Sequence, residues 1–225
     1  MELDINNPDY HYNRGYELFY KGQFEEALKE FDKAIELDPN NPEYHYYKGN
    51  SLYVLDRYEE AIKEYDVAIE FNPNNPDYHY QKGFVLLLLG RYEEALKEAD
   101  KAIELNPNNP EYLYLKGQVL IRLKRYEDAI KEFDKAIELN PNGSHYYYGK
   151  GLALFLLDRY EDAIKEFDKA IELNPNDSYS HFHKGDSLLL LRRYEDAIKE
   201  FDKAIELNPN DSYNHCRKGY ALYLL

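Results

Sequence analysis

The residues of this chain that could do chemistry are its seven histidines, its 43 acids, one cysteine and a large set of tyrosines. His11, His45, His79, His181 and His215 recur at multiples of 34 residues. Ligands to one zinc ion must converge at about 2 Å, whereas residues one whole repeat apart sit on different packed helices, with axes about 8–10 Å apart. His181 and His183 are two apart, so on a helix they point different ways. The ladder therefore reads as structural histidines, and no metal is expected. No nucleophile–base pair, glycine-rich phosphate loop or paired acidic site stands out, and acids at helix-surface spacing make a solvated face. Neither catalysis nor a cofactor is expected. The tyrosines are different. Tyr12, Tyr46, Tyr80, Tyr114 and Tyr148 stand three residues before successive glycines, in a ladder that Phe182 continues and Cys216 breaks. Tyrosine combines a large apolar ring with a hydroxyl and is common in binding surfaces.

What positions these residues is a repeat. The run from Arg125 to Asn142 (RYEDAIKEFDKAIELNPN) returns letter for letter at Arg159 to Asn176 and at Arg193 to Asn210, and looser copies occupy 23–40, 57–74 and 91–108. The full units are 7–40, 41–74, 75–108, 109–142, 143–176 and 177–210, with a half unit at 211–225. A period of this length marks an array in which each unit buries its apolar face against its neighbours.

The ten prolines all fall at unit junctions, where a missing N–H costs no helix hydrogen bond. In Asp38-Pro39-Asn40-Asn41-Pro42 one proline closes a helix and the other opens the next, with Asn41 as cap. The last three openings, Gly143-Ser144, Asp177-Ser178 and Asp211-Ser212, are expected to cap by side-chain oxygen instead. Between junctions lie two amphipathic helices, A (about 9–21 in the first unit) and B (about 24–37). Helix B carries Phe24, Ala27, Leu28, Phe31, Ala34, Ile35 and Leu37 at three- and four-residue steps, an apolar stripe. The basic residue before each glycine needs an acid if it is partly buried. The expected pairs lie within each unit: Arg14 with Asp32, Lys48 with Asp66, Lys82 with Asp100, Lys116 with Asp134, Lys150 with Asp168 and Lys184 with Asp202.

The pattern resembles the tetratricopeptide repeat, a 34-residue helix–turn–helix unit. Its glycine is met by Gly15, Gly49, Gly83, Gly117, Gly151, Gly185 and Gly219. Its alanine–aromatic pair is met by Ala27/Phe31, Ala61/Tyr65, Ala129/Phe133, Ala163/Phe167 and Ala197/Phe201, and weakens to Ala95/Ala99 in the third unit. Its proline is met by Pro39, Pro73, Pro107, Pro141, Pro175 and Pro209. The tryptophan place holds the histidine ladder (Leu113 and Tyr147 in two units), and the leucine place is basic throughout. The resemblance implies an all-α, right-handed solenoid, one domain over 1–225, of six repeats and a terminal helix. It also implies that the places three before, one after and five after each glycine line an inner concave face. Tyr12, Tyr16, Tyr46, Asn50, Tyr80, Phe84, Tyr114, Gln118, Tyr148 and Phe182 are then the candidate peptide- or protein-binding residues, against a nearly constant helix B. The tyrosines could equally pack between neighbouring A helices, each ring contributing about 1.5–3 kcal/mol. The lysines of the family's carboxylate clamp are replaced by aromatics here, with only Asn50 matching in kind, so carboxylate clamping is not expected.

The formal charge of −15 disfavours nucleic acid and anionic membranes, which need a Lys/Arg footprint, and leans towards a neutral or basic partner. No apolar stretch is long enough to span a membrane, the start Met1 to Asn6 lacks a secretory layout, and one cysteine permits no internal disulfide; a cytoplasmic setting is the expectation, with export from a precursor left open. The reading is a non-enzymatic protein-interaction scaffold. Two alternatives stand beside it: a self-assembling structural protein, and a designed or consensus-like chain without a natural partner. Self-assembly would use the half unit, whose Tyr220, Leu222, Tyr223, Leu224 and Leu225 have no helix B to cover them. The first unit of another copy (Tyr10, His11, Leu18) would cover them head to tail, giving oligomers or filaments; a longer parent chain is the other explanation of the stop at Leu225.

Overall fold

The structure, a computed structural model, describes residues 6–225; the acidic start at 1–5 lies outside the described residues. Among those residues it holds helices and no strand, an all-α helical-repeat solenoid. The chain divides after Asn108 into two compact units. The first contains α1 (Pro8–Tyr20), α2 (Phe24–Leu37), α3 (Pro42–Val54), α4 (Tyr58–Phe71), α5 (Pro76–Leu88) and α6 (Tyr92–Leu105). The second contains α7 (Pro110–Arg122), α8 (Tyr126–Leu139), α9 (Ser144–Leu156), α10 (Tyr160–Leu173), α11 (Ser178–Leu190), α12 (Tyr194–Leu207) and α13 (Ser212–Leu224). Odd-numbered helices are the A helices and even-numbered ones the B helices. Within each unit every A helix packs on its own B helix, and that B helix packs on the next A helix.

Helix starts follow the junction chemistry. Asn7, Asn41, Asn75 and Asn109 each accept the N–H two residues on, at 2.9–3.1 Å, with proline at the first helical position. Asp177 and Asp211 cap α11 and α13 in the same way. The expectation of a side-chain cap fails at Gly143. A Cβ there would stand 2.2 Å from the Tyr146 ring, which takes the room a capping side chain needs. Each A-to-B turn places one residue in the left-handed region: Gly22, Asp56, Gly90, Lys124, Asp158 and Arg192, φ 58–77°. The next N–H then reaches back five residues, as Gln23 does to Leu18 at 2.9 Å and Arg125 to Leu120 at 2.8 Å, closing the A helix.

The core is the small–large interlock of A on B. Ala27, Phe31 and Ala34 are fully buried, as are their counterparts Ala129, Phe133 and Ala136 in the second unit. Gly15 lies so close to Phe31 that a Cβ would come within 2.7 Å of the ring, and Gly49, Gly117, Gly151 and Gly185 sit likewise against Tyr65, Phe133, Phe167 and Phe201. The glycine is thus the seat for the helix B aromatic.

The expected ion pairs need correcting. The basic residue does reach its own helix B, but it meets the buried-side glutamate rather than the aspartate: Arg14 with Glu30 (3.5 Å), Lys48 with Glu64 (2.8 Å), Lys116 with Glu132 (3.3 Å) and Lys150 with Glu166 (2.8 Å). The aspartates face the other way. Asp32, Asp66, Asp134, Asp168 and Asp202 pair with the lysine of the following repeat, Lys48, Lys82, Lys150, Lys184 and Lys218, at 2.5–2.9 Å. A glutamate two residues before an aspartate lies on a different helix face, so Lys48, Lys82, Lys150 and Lys184, each wedged between two B helices, take one acid from each.

Candidate functional site

The histidine ladder resolves into a repeated contact inside each pair of helices. His11, His45, His79 and His181 are buried, and their Nδ1 atoms lie 2.6–2.7 Å from Glu30, Glu64, Glu98 and Glu200. On the far edge of the ring, Nε2 of His45 donates to the Pro39 carbonyl at 3.0 Å and that of His79 to Pro73 at 3.2 Å. The ring therefore ties helix A to helix B and to the turn before it, where a tryptophan would fill space alone. Burial works against charge on Glu64, yet the hydrogen bonds from His45 and Lys48 prevail and hold it below the usual carboxylate range; Glu98 and Glu200 behave in the same way. Each histidine faces its own glutamate, and among the described residues no three candidate ligands stand together as a metal would need.

The tyrosine ladder is half-buried and built over helix B. Tyr12 lies 6.3 Å from Phe31 and Tyr46 6.1 Å from Tyr65; in the second unit Tyr114 lies 5.8 Å from Phe133, Tyr148 6.0 Å from Phe167 and Phe182 6.0 Å from Phe201, ring centre to ring centre. Burial raises the Tyr12 hydroxyl to about 12 and also raises Tyr46 and Tyr148. Tyr80 is half-buried. The ladder thus packs the array and presents ring edges at once.

The place one after the glycine is more varied. Tyr16 is partly exposed and packs on Tyr20 (4.7 Å) and Tyr47 (5.0 Å). Asn50 is buried, and its Oδ1 accepts the Tyr65 hydroxyl at 2.8 Å, so its acceptor is already used inside the fold. Phe84 is half-buried with its ring 5.8 Å from Tyr53, and Gln118 is half-buried. In the first unit these rings frame a pocket of 260 Å³ lined by Phe19, Tyr20, Tyr46, Tyr47, Asn50, Tyr53, Val54 and Gln81.

Two further features belong to the A helices, the first at a place the resemblance had put on the inner face and the second not expected from the sequence. The outermost apolar row of the A helices is the place five after the glycine, where Tyr20, Val54 and Leu88 in the first unit and Leu156 and Leu190 in the second are 40–67% exposed. The second is a set of buried tyrosines at the third residue of the A helix. Tyr44 and Tyr78, almost completely buried, donate to Asp9 (2.9 Å) and to Glu43, at the second residue of the preceding A helix; Tyr146 donates likewise to Glu111. Their recurrence was visible as Tyr10, Tyr44, Tyr78, Tyr112 and Tyr146, but burial was not. Also unforeseen is Asp186, buried at the place one after the glycine and faced by Arg217 at 2.8 Å; burial raises its pKa against that pairing.

Of the candidate self-association residues, Tyr220, Leu222, Tyr223 and Leu225 are exposed, whereas Leu224 packs inward on the cluster of Leu188, Leu189, Phe201 and Ala221. At the other end His11 is buried on Glu30, while Tyr10 and Leu18 are half-buried. No helix among the described residues is long and apolar enough to cross a membrane.

The chain matches the model of the tetratricopeptide repeat over residues 12–76, 80–144, 126–178 and 148–212. Among solved structures it is similar to a chain of the APC/C hetero-tetramer Cut9–Hcn1 (TM-score 0.83, 20% identity), covering 96% of this chain and 43% of that one, less than half its length. It is similar to pilF of Pseudomonas aeruginosa (TM-score 0.80, 20% identity, 96% of each chain). It also resembles YrrB, described as a TPR protein with an unusual peptide-binding site (TM-score 0.67, 25% identity, 86% of this chain and 97% of that one). No curated protein matches.

Proposed function

The chain belongs to the tetratricopeptide repeat family, and from that premise we propose that it is a non-enzymatic scaffold whose A-helix face receives a peptide or protein segment. The observation that carries this reading is found in each compact unit by itself: exposed apolar side chains at one place of its successive A helices, Tyr20, Val54 and Leu88 in the first and Leu156 and Leu190 in the second, beside half-buried rings. Apolar groups repeated on one face mark an interaction surface. The lining changes from repeat to repeat while helix B stays nearly constant, as selective recognition on a fixed frame requires. YrrB, described as binding peptide, lends the reading support, and the charge of −15 favours a neutral or basic segment. The test uses a binding peptide selected from a displayed random library. Leu88→Glu and Leu156→Glu are expected to weaken it by about tenfold or more, the loss of a buried anchor. Glu60→Lys and Lys63→Glu on α4 should change it less than about twofold, as rim charges do. The reverse pattern would move binding to the B helices and sink the proposal.

A second reading, self-association through α13, is favoured by the exposed Tyr220, Leu222, Tyr223 and Leu225. Leu222→Lys leaves the inward Leu224 in place and should abolish concentration-dependent assembly in light scattering. A wild-type chain that stays monomeric at high concentration would end this reading.

A further inference from the structure

The neighbouring A helices α1 and α3, α3 and α5, and α7 and α9 are joined by a tyrosine at the third helical residue, whose ring fills the space beside the ladder ring of the preceding A helix. Tyr44 lies 5.2 Å from Tyr12, Tyr78 5.0 Å from Tyr46 and Tyr146 5.7 Å from Tyr114, and all three are almost completely buried. In α13 the third residue is Asn214, and the ladder ring facing it from α11 is Phe182. A pocket of 170 Å³ lies there, lined by Tyr179, Phe182, His183, Asp211, Tyr213 and Asn214. An apolar cavity of about 150 Å³ accepts a benzene ring. Ser180, the other small residue at the third place, is fully buried and donates to Asp177 at 2.5 Å.

Two polar side chains of this pocket are unsatisfied. Asn214 is 1% exposed with its Oδ1 unpartnered, and the Nδ1 of His183 is buried without a partner. Burial lowers His183 to about 4, so the ring is neutral near pH 7. A buried acceptor without a donor costs free energy that an occupant bearing an O–H can recover.

We propose that this pocket is a side-chain subsite for a tyrosine of the bound segment, which supplies from outside the ring that Tyr44, Tyr78 and Tyr146 supply from within the chain. The partner's ring lies over Phe182 between Tyr179 and Tyr213, and its hydroxyl donates to Asn214 or His183. The acid that receives the internal tyrosines is replaced here by Tyr179, thirty-five residues before Asn214 as Asp9 is before Tyr44, so a partner's hydroxyl turns to the two unsatisfied acceptors instead. The proposal rests on the reading of the A-helix face as a binding surface but is read locally, with a probe that does not touch Leu88 or Leu156.

The test titrates N-acetyl-L-tyrosinamide into the full chain, followed by NMR of the backbone amides, the Asn214 carboxamide and the His183 ring. Saturable shifts centred on Phe182, His183 and Asn214 are expected. N-acetyl-L-phenylalaninamide should bind about three- to tenfold more weakly, the loss of one hydrogen bond, and N-acetyl-L-alaninamide should give no shift there. Asn214→Tyr, which places the ring in the chain itself, should abolish the response, with Asn214→Leu as a second blocking variant and circular dichroism confirming that each folds. No saturable shift at the pocket, or a response undiminished in the folded blocked variants, overturns the subsite; equal affinity for the tyrosine and phenylalanine probes overturns the role given to the hydroxyl. Loss of peptide binding in Leu88→Glu with an intact tyrosinamide response supports both readings, and a tyrosinamide response without any peptide-binding effect of Leu88→Glu or Leu156→Glu keeps the subsite while the wider reading falls.

Discussion

At the residue scale the fold turns on atoms that leave no slack. Gly49 is such a position: a Cβ there would stand 2.6 Å from the Tyr65 ring, which is fully buried and hydrogen-bonded to Asn50. The ring cannot retreat without losing that bond or displacing α4. Gly49→Ala is therefore expected to destabilise the chain by about 1–3 kcal/mol, the usual cost of overpacking a filled core. Urea unfolding checks it, and an unchanged midpoint would show that the A–B interface yields more readily than its contacts imply. The substitution is the more telling because alanine is otherwise the better helix former, so helix propensity pushes the result the other way.

At the element scale the A-to-B turn is the strained joint. Gly22 and Gly90 occupy the left-handed place at no steric cost, whereas Lys124 and Arg192 hold φ of 59° and 61° with full side chains. A left-handed residue other than glycine costs about 1–2 kcal/mol, part of which glycine returns through its freer unfolded chain. Lys124→Gly should accordingly stabilise the chain by roughly 0.5–1 kcal/mol, and Gly90→Lys should do the opposite. Thermal unfolding of the two variants side by side distinguishes them; a destabilised Lys124→Gly would mean that the lysine side chain makes contacts worth more than the strain. The neighbouring ion pairs act at this scale as well. Asp32 and Asp66 in the first compact unit and Asp134, Asp168 and Asp202 in the second grip the following A helix through its lysine, so these charges hold one repeat to the next rather than one repeat together.

For the molecule as a whole, the repeated Glu–His–Lys contact ties stability to pH on both sides. Glu64, Glu98 and Glu200 are held below the ordinary carboxylate range: burial opposes their charge, but the hydrogen bonds from the histidine and lysine outweigh it. Their contribution is present above the unfolded carboxylate value of about 4.3 and is lost as pH falls through the lower folded value. Lys48, Lys82 and Lys184 are raised, because pairing with two acids outweighs the burial that pulls them down. Burial raises Tyr12 and Tyr44 to about 12. These groups contribute below the unfolded values near 10 and cease to do so as pH rises through the folded ones. The melting temperature should thus be flat between about pH 5 and 9 and fall on both sides, with Glu64→Gln and Glu98→Gln flattening the acid limb more than the alkaline one, since Lys48 and Lys82 each keep a second acid, Asp32 and Asp66. An acid limb that is unchanged in the double variant would assign acid unfolding to other carboxylates.

Much of this protein is written in its sequence because a repeat states the same local code again and again. Proline and asparagine at each junction start the helices, the Ala–Phe–Ala stripe turns each helix B inward, and the glycine at the contact admits the aromatic; all of these are short-range steric facts, and the all-α repeat fold follows from them. The tertiary structure decided which neighbour each side chain meets. Asp66 and Glu64 stand two residues apart, and only the packing of α4 between α3 and α5 sends the first to Lys82 of the following repeat and the second to Lys48 of its own. The tyrosine ladder showed its period but not its depth, since a ring half over helix B and half at the surface depends on how closely the next A helix approaches. The Gly143 start lost its side-chain cap to the Tyr146 ring, and the opening beside Asn214 lies where the third helical residue is asparagine and not the tyrosine of α3, α5 and α9. Periodicity is a property of the chain, whereas occupancy of the space between repeats is set by helices that the sequence separates by thirty residues and packing brings together.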